Sequence, residues 1–385
     1  MNDFLPKRRT WRSVDSLRWE MIAHPVAKPA VARRKSLFPV MKPRLPSALS
    51  FRARLESIEH SGQYSNYGPQ VTELQDKFAQ RLNVKPSNVV LLANATLALS
   101  GLAQILSPTR WRVPSWTFVA TPLSALQAGG SVVFTDVDQR THRMDRGAES
   151  EPSIITLPFG VGLPPEWKDA SDFPEIIDAA ASLGSIEDLS GLPQGSNIVF
   201  SLHATKYLGV GEGGLVVTGN PELAKELQSW SNFGFRADRI SHLMGTNAKM
   251  SEFQAAIAHA ALDSEPEQAE DWRLLRKLSR KVDGMLDMGI EPMAKNSIAP
   301  YWITQFASEA RRNAVEAHLK SHSVETRRWW SQGCHHMEAL RVVPREGLMT
   351  NTDFLAATTL GLPYFRGMTH SDFDMIGSII SQVPE

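Results

Sequence analysis

The sequence predicts an α/β protein: a mostly parallel sheet layered with helices, then a smaller C-terminal α+β part. Three observations carry this. Short apolar runs alternate with segments of helical period, the pattern of a parallel sheet with crossover helices. The chain has 385 residues, enough for a large domain and a second, smaller one. A long charged segment, Glu265 to Met285, with Leu274, Leu278 and Val282 at helical spacing, bridges the two. The division drawn is a basic extension over residues 1–36, a large domain over 37–264 and a small domain over 265–385.

The extension carries nine Lys and Arg against three acidic residues. It reads either as a segment without a packed core or as a docking arm for an acidic partner, anchored by Trp11 and Trp19. A short helix follows over Leu49–Ile58. Ser61 to Pro69 is turn-rich, and Asn66 and Tyr67 there are candidates to line a pocket. Thr72–Arg81 is helical, with Leu74 and Phe78 on one face. Val89–Leu92 is a buried strand, Asn94 caps a helix from Leu97 to Leu106, and the helix start is suited to an anion. An ordinary capped helix explains the same residues. A strand end at Arg112–Val113 leads to a helix ending near Leu126. Val132–Phe134, Ile154–Leu157 and Glu175–Ile177 are further strands, the last closing on Asp178. Ligands of such sheets bind beyond the strands' carboxyl ends, the edge to which Asn94, Phe118 and Asp178 are assigned.

Next comes Ser201-Leu-His-Ala-Thr-Lys206-Tyr-Leu-Gly-Val-Gly-Glu-Gly-Gly214, between the apolar runs Ile198–Phe200 and Leu215–Val217. The return is too short for a crossover helix, so the second run is expected antiparallel to the first. A lysine presented at a strand end is a candidate Schiff-base former. His203 beside it either touches substrate or is a structural histidine bonded to backbone. Helices are expected over Pro221–Trp230 and up to Leu262. The small domain is read as a strand at Tyr301–Phe306, a helix at Arg311–Ser321, an aromatic-rich strand at Glu325–Trp330, a short run at Leu360–Leu362 and a helix from Ser371.

Composition excludes several classes. Forty-one basic and 41 acidic residues cancel, which argues against a nucleic-acid or membrane-surface role. One cysteine, Cys334, rules out an internal disulfide framework and suits a cytoplasmic location. No apolar stretch reaches membrane-spanning length, and no metal-ligand set is assigned.

Eight stretches in order and spacing resemble one family: Ser65-Asn-Tyr-Gly-Pro69, Asn94-Ala-Thr-Leu97, Val113-Pro-Ser-Trp-Thr-Phe-Val-Ala-Thr121, Ile177-Asp-Ala-Ala180, Phe200-Ser-Leu-His-Ala-Thr-Lys206, Gly211-Glu-Gly-Gly214, Asn232-Phe-Gly234 and Gly245-Thr-Asn-Ala-Lys-Met250. The chain resembles the DegT/DnrJ/EryC1/StrS sugar aminotransferases from about Leu37 onward. The resemblance implies the three-layer fold type I, pyridoxal 5′-phosphate (PLP) as cofactor and a homodimer with shared active sites. Lys206 matches the cofactor-holding, proton-shuttling lysine, and Asp178 the carboxylate paired with the pyridinium nitrogen. Phe118 matches the aromatic on the ring; Ala95, Thr96 and Ser201 match the phosphate-binding positions, and Asn247 a phosphate ligand reaching in from the neighbouring subunit. Dehydratases of the family carry histidine in place of the lysine, so Lys206 implies transamination. Ala181 departs from the pattern, standing where members carry Gln or His as partner of the cofactor's O3′; the usual histidine near Tyr301-Trp302 is also missing. The implied reaction moves an amino group, from glutamate, to a nucleotide-linked keto sugar. A cyclitol or other ketone is an alternative acceptor, and a PLP-binding regulatory pseudo-enzyme an alternative role.

Overall fold

A computed structural model describes residues 37–144, 151–164, 174–285 and 298–384. The basic extension over residues 1–36 lies outside them.

Seven strands form the central sheet: β1 (Val89–Leu92), β2 (Arg110–Pro114), β3 (Ser131–Thr135), β4 (Ser153–Thr156), β5 (Glu175–Asp178), β6 (Ser196–Ser201) and β7 (Gly214–Thr218). Their order is β1-β7-β6-β5-β4-β2-β3. β7 is antiparallel to both its neighbours, β6 and β1, and the remaining pairings are parallel. The antiparallel return expected after Lys206 is present.

The strands are apolar on both faces because helices cover both. Leu91, Ile155, Ile177, Ile198 and Leu215 point into one core cluster. It is shared with α2 (Pro69–Arg81), α6 (Glu252–Asp263) and the C-terminal elements. Their neighbours Leu92, Ile154, Ile176, Val199 and Val216 point the other way, into a core shared with α3 (Ala95–Leu106), α4 (Ala120–Gln127) and α5 (Pro221–Trp230). The alternation of side chains along each strand therefore builds a three-layer α/β/α stack. Before these helices, α1 (Arg52–Ser61) is preceded by one 3-10 turn, Ala48–Phe51.

After α7 (Glu265–Met285), β8 (Trp302–Gln305) pairs antiparallel with β9 (Thr359–Leu362), accompanied by α8 (Glu309–Ser321), α9 (Thr350–Thr358) and α10 (His370–Ser381). The strand expected at Glu325–Trp330 does not form. Among the described residues its backbone bridges β9 at Arg327, whose N–H and C=O exchange bonds of 3.0 and 2.8 Å with Gly361. It then turns at Arg328–Ser331, and Trp330 is buried against Phe159 instead of lying along a ladder. Helix α9 has no counterpart in the sequence reading; its sequence has almost no amphipathic period and runs straight into β9. Among the described residues no helix is long and apolar enough to cross a membrane.

One buried carboxylate fixes the loop ahead of α2. Glu252, at the start of α6, accepts from the backbone N–H groups of Gln70 at 2.7 Å and Val71 at 3.2 Å. It thereby satisfies first-turn donors of α2 that have no intrahelical partner, while its own N–H donates to Tyr64 O. Glu252→Ala is expected to lower stability by about 3 kcal/mol, because two buried N–H groups lose their acceptor; urea denaturation beside wild type measures it.

Candidate active site

The site is assembled where β1, β7 and β6 end in one row. Leu92, Gly214 and Ser201 are register partners across the three strands. A Cβ on Gly214 would lie 2.5 Å from Asn94 C and O and 2.9 Å from Ala95 N, so only glycine lets β7 run this close to the start of α3. That contact brings the α3 N-terminus beside the end of β6. Asn94 Oδ1 caps α3 by accepting from Leu97 N–H at 2.9 Å. Among the described hydrogen bonds the N–H groups of Ala95 and Thr96 have no acceptor, so the first turn presents two donors with the positive helix end behind them. Ser201 Oγ, in the same row, accepts from His203 N–H at 3.2 Å.

Asp178 ends β5, beside Thr156 of β4 and Val199 of β6. It is buried. Its Oδ2 accepts from the Thr121 hydroxyl at 2.7 Å and its Oδ1 from Ala180 N–H at 3.2 Å. Thr121 belongs to a hydroxyl chain: Thr117 Oγ1 is 2.8 Å from Thr121 Oγ1 and 2.7 Å from Thr156 Oγ1. Burial pushes the Asp178 carboxyl above the ordinary range, and the two hydrogen bonds and the charge of Lys206 pull it part of the way back.

Lys206 lies in the loop joining β6 to β7. Leu202 N–H donates to Gly213 O, Val210 N–H to Leu202 O and Ala204 N–H to Gly211 O, each at 2.9 Å, so the loop folds back on itself. A Cβ on Gly209 would meet Ala204 O at 2.4 Å, which is why a glycine stands there. The ammonium donates to the Tyr301 hydroxyl at 2.8 Å. An aromatic wall holds Tyr301: its ring packs edge-on against Phe159 and Trp329, and Phe159 stacks on Trp330 with centroids 4.0 Å apart. Phe118, beyond the end of β2, is 57% exposed, leaving its ring free to cover a ligand.

The structure thus brings Ala95, Thr96 and Ser201 together at one row, and the charge of Lys206 acts on Asp178. The remaining candidates are engaged elsewhere. His203 Nδ1 accepts from Thr205 N–H at 3.2 Å and lies 2.8 Å from Thr205 Oγ1, within its own loop. The Tyr67 hydroxyl donates to Gln228 O at 3.3 Å and meets Ser231 Oγ; burial pushes the phenol up to about 12. Asn66 and Tyr67 both adopt left-handed backbone, and Asn66 is exposed. Asn247 is exposed and its Oδ1 accepts from Lys249 Nζ at 2.8 Å. Ala181 is buried and offers no side-chain donor. Sequence reading missed Thr121 as the partner of Asp178, although it stands inside the Val113–Thr121 motif. It also missed Tyr301 as the partner of Lys206; no local pattern marks a residue that pairs across 95 positions.

These donors fit a phosphorylated pyridine aldehyde. Two free N–H groups and a hydroxyl suit a phosphate, a buried carboxylate lacking a full counter-charge suits a protonated ring nitrogen, and a lysine amine suits the aldehyde. Fold and site together define an α/β aminotransferase of the kind that works through PLP. The chain belongs to the DegT/DnrJ/EryC1/StrS aminotransferase family, whose pattern it matches over residues 48–150 and 167–381. It is 28% identical over 353 residues to Protein MT3510 of Mycobacterium tuberculosis (strain CDC 1551 / Oshkosh), covering 84% of this chain and 82% of that one. It is 31% identical over 238 residues to the dTDP-4-amino-4,6-dideoxy-D-glucose transaminase of Shigella dysenteriae, covering 58% of this chain and 64% of that enzyme. The crystal structure of DesI in the presence of its TDP-sugar product superposes with a TM-score of 0.77 at 29% identity, over 90% of this chain and 92% of that one. The cofactor is PLP.

The raised Asp178 carboxyl gives a stability signature in cofactor-free protein. Between the ordinary carboxylate range and its raised value, the folded state holds a proton that the unfolded chain has lost. Stability contributed by Asp178 therefore falls as pH rises through that window. Asp178→Asn removes this part of the slope. Thermal melts of cofactor-free wild type and variant across pH, compared as a difference, are expected to show the variant gaining on wild type as pH rises; parallel curves would contradict the assignment.

Proposed function

We propose that the protein transfers an amino group from glutamate to the ketone of a nucleotide-linked keto-deoxy sugar, as a homodimer. The observation that supports the aminotransferase chemistry is the buried Asp178 carboxyl at the end of β5, held by Thr121 and Ala180, with Lys206 in the loop that follows the neighbouring strand β6. The sugar substrate is supported by the names of the relatives: the Shigella dysenteriae enzyme is a dTDP-amino sugar transaminase, and DesI has a TDP-sugar product.

Bound PLP supplies the electron sink for breaking the amino acid's Cα–H bond. The chain's own groups do the rest. Asp178 holds positive charge on the ring nitrogen, because its desolvated carboxylate gains more from a cation than from water. Ala95 N–H, Thr96 N–H and Ser201 would hold the phosphate, and the exposed Phe118 would cover the ring. Lys206 Nζ would take the proton from Cα of the donor and, in the second half-reaction, would deliver a proton to the former ketone carbon of the acceptor. The Tyr301 hydroxyl receives a hydrogen bond from Nζ and limits its rotation, orienting the amine. Residues 37–264 would form the large cofactor-carrying domain and residues 265–385 the smaller C-terminal one. Asn66, Tyr67 and His203 remain substrate-side candidates.

The homodimer reading rests on Asn247, which matches a partner-reaching position, and on exposed apolar side chains: Met244 and Phe253 lie near it in the chain, and Phe233 N–H donates to the adjacent Thr246 O at 3.0 Å.

Borohydride reduction of holoprotein and peptide mapping should place the pyridoxyl label on Lys206, and Lys206→Ala should lose half-transamination with glutamate by about 1000-fold or more. A label on another lysine rejects the assignment. A panel of keto-sugar nucleotides, assayed with glutamate, then reads the acceptor; turnover of a cyclitol ketone alone would reject the sugar-nucleotide reading.

Shared sites have their own test. Lys206→Ala and Asn247→Ala chains, each impaired alone, are expected to regain part of the activity when mixed under verified subunit exchange, since a hybrid dimer keeps one intact site. No recovery would count against Asn247 acting across the interface.

A further inference from the structure

Two adjacent histidines and one carboxylate converge behind the loop that carries Phe118. His335 and His336 lie in a short 3-10 turn, Cys334–His336, and Asp353 lies in the first turn of α9. His335 Nε2 is 3.1 Å and His336 Nε2 3.0 Å from the same oxygen, Asp353 Oδ1. All three ligand atoms fall within 4.8 Å of one another.

The two nitrogens differ in exposure, and that difference builds a site. His335 is only 1% exposed, whereas His336 and Asp353 reach solvent. The inner nitrogen of His335, Nδ1, is 2.6 Å from Ser115 Oγ, which also accepts from the His335 backbone N–H at 3.2 Å. In the tautomer whose Nδ1–H donates to Ser115 Oγ, the neutral ring directs its Nε2 lone pair at His336 and Asp353. A lone pair aimed at a carboxylate oxygen is repulsive unless a cation lies between them. Ligands of a tetrahedral zinc ion, at bonds of about 2.0–2.1 Å, stand about 3.3 Å apart, close to the two nitrogen–oxygen separations here. A histidine whose second nitrogen is fixed by a hydroxyl is the usual outer support of such a ligand.

We propose that His335 Nε2, His336 Nε2 and the Asp353 carboxylate bind a divalent transition cation of the zinc type, completed by water on the solvent side, with Ser115 as positioning residue. Two imidazoles and one carboxylate favour zinc over magnesium or calcium, which take oxygen ligands. The ion acts as a clamp. Cys334 N–H donates to Ser115 O at 2.8 Å and its thiol to Thr117 O at 3.3 Å, so the histidine turn grips the base of the Phe118 loop. On the other side α9 is pinned to the end of β3, where Asn351 and Thr352 N–H each donate to Asp136 at 2.8 Å. A bound ion joins these two anchors. The site uses no residue assigned to cofactor binding, so it stands or falls independently of the transaminase reading.

The test uses full-length holoprotein, treated with a chelator, dialysed, and equilibrated with zinc chloride or magnesium chloride. Bound metal is counted by atomic emission, and thermal melting is followed in parallel. One zinc per chain, no magnesium, and a melting temperature that rises with zinc are expected. Asp353→Asn and His336→Ala alter exposed side chains and should each weaken binding by about 100-fold; Ser115→Ala should weaken it by about tenfold while the ligands remain. Absence of zinc at micromolar free metal, or zinc retained equally by Asp353→Asn and His336→Ala, overturns the proposal.

Discussion

A carboxylate without water or a full counter-charge organises this protein. Asp178 is placed at the end of a central strand, beside the last residue of β4, Thr156, and beside Val199 within β6. Desolvating an ion there costs several kcal/mol, and hydrogen bonds from Thr121 and Ala180 offset only part of it. Lys206 contributes a smaller opposing attraction. The cofactor-free site is therefore electrostatically unfinished. A ligand that brings a positive nitrogen to Asp178 and a phosphate to the α3 start completes it at both ends, so binding and folding stability are coupled through the same residues.

The sheet's one irregularity makes this possible. An all-parallel order would separate β6 from the strand preceding α3 by a crossover. Because β7 doubles back, it slots between β6 and β1, and its first residue, Gly214, touches both the row of Ser201 and the cap of α3. The Lys206 loop is the connection that creates this reversal. The loop lysine, the free N–H groups at the start of α3 and the buried carboxylate of β5 thus share one edge for a topological reason.

The C-terminal elements reach that edge by side chains rather than by strand pairing. Tyr301 enters just before β8 and meets Lys206, while Trp329 and Trp330 leave the expected strand to wall it in. Further along, the turn at Cys334–His336 grips the Ser115–Thr117 backbone.

Local patterns in the sequence determined most of the elements. The apolar runs fix the strands, because a short segment buried on both faces must be apolar throughout; Asn94 and Asn220 fix helix starts, because their side chains cap the helices that follow. The short glycine-rich return fixed the antiparallel β7, since no helix fits in it. Asp178 ends β5 as its apolar run announces, whereas Lys206, expected at a strand end, lies in the loop five positions beyond the end of β6. What tertiary structure alone decided are the partners: Thr121 for Asp178 across 57 positions, Tyr301 for Lys206 across 95, and Asp353 for the two histidines. These follow from strand order and from which loops meet at an edge. Periodicity records only how a segment faces the core, not which distant segment stands opposite, and so the aromatic stretch at Glu325–Trp330 read as a strand while its tryptophans were claimed by the wall around Tyr301.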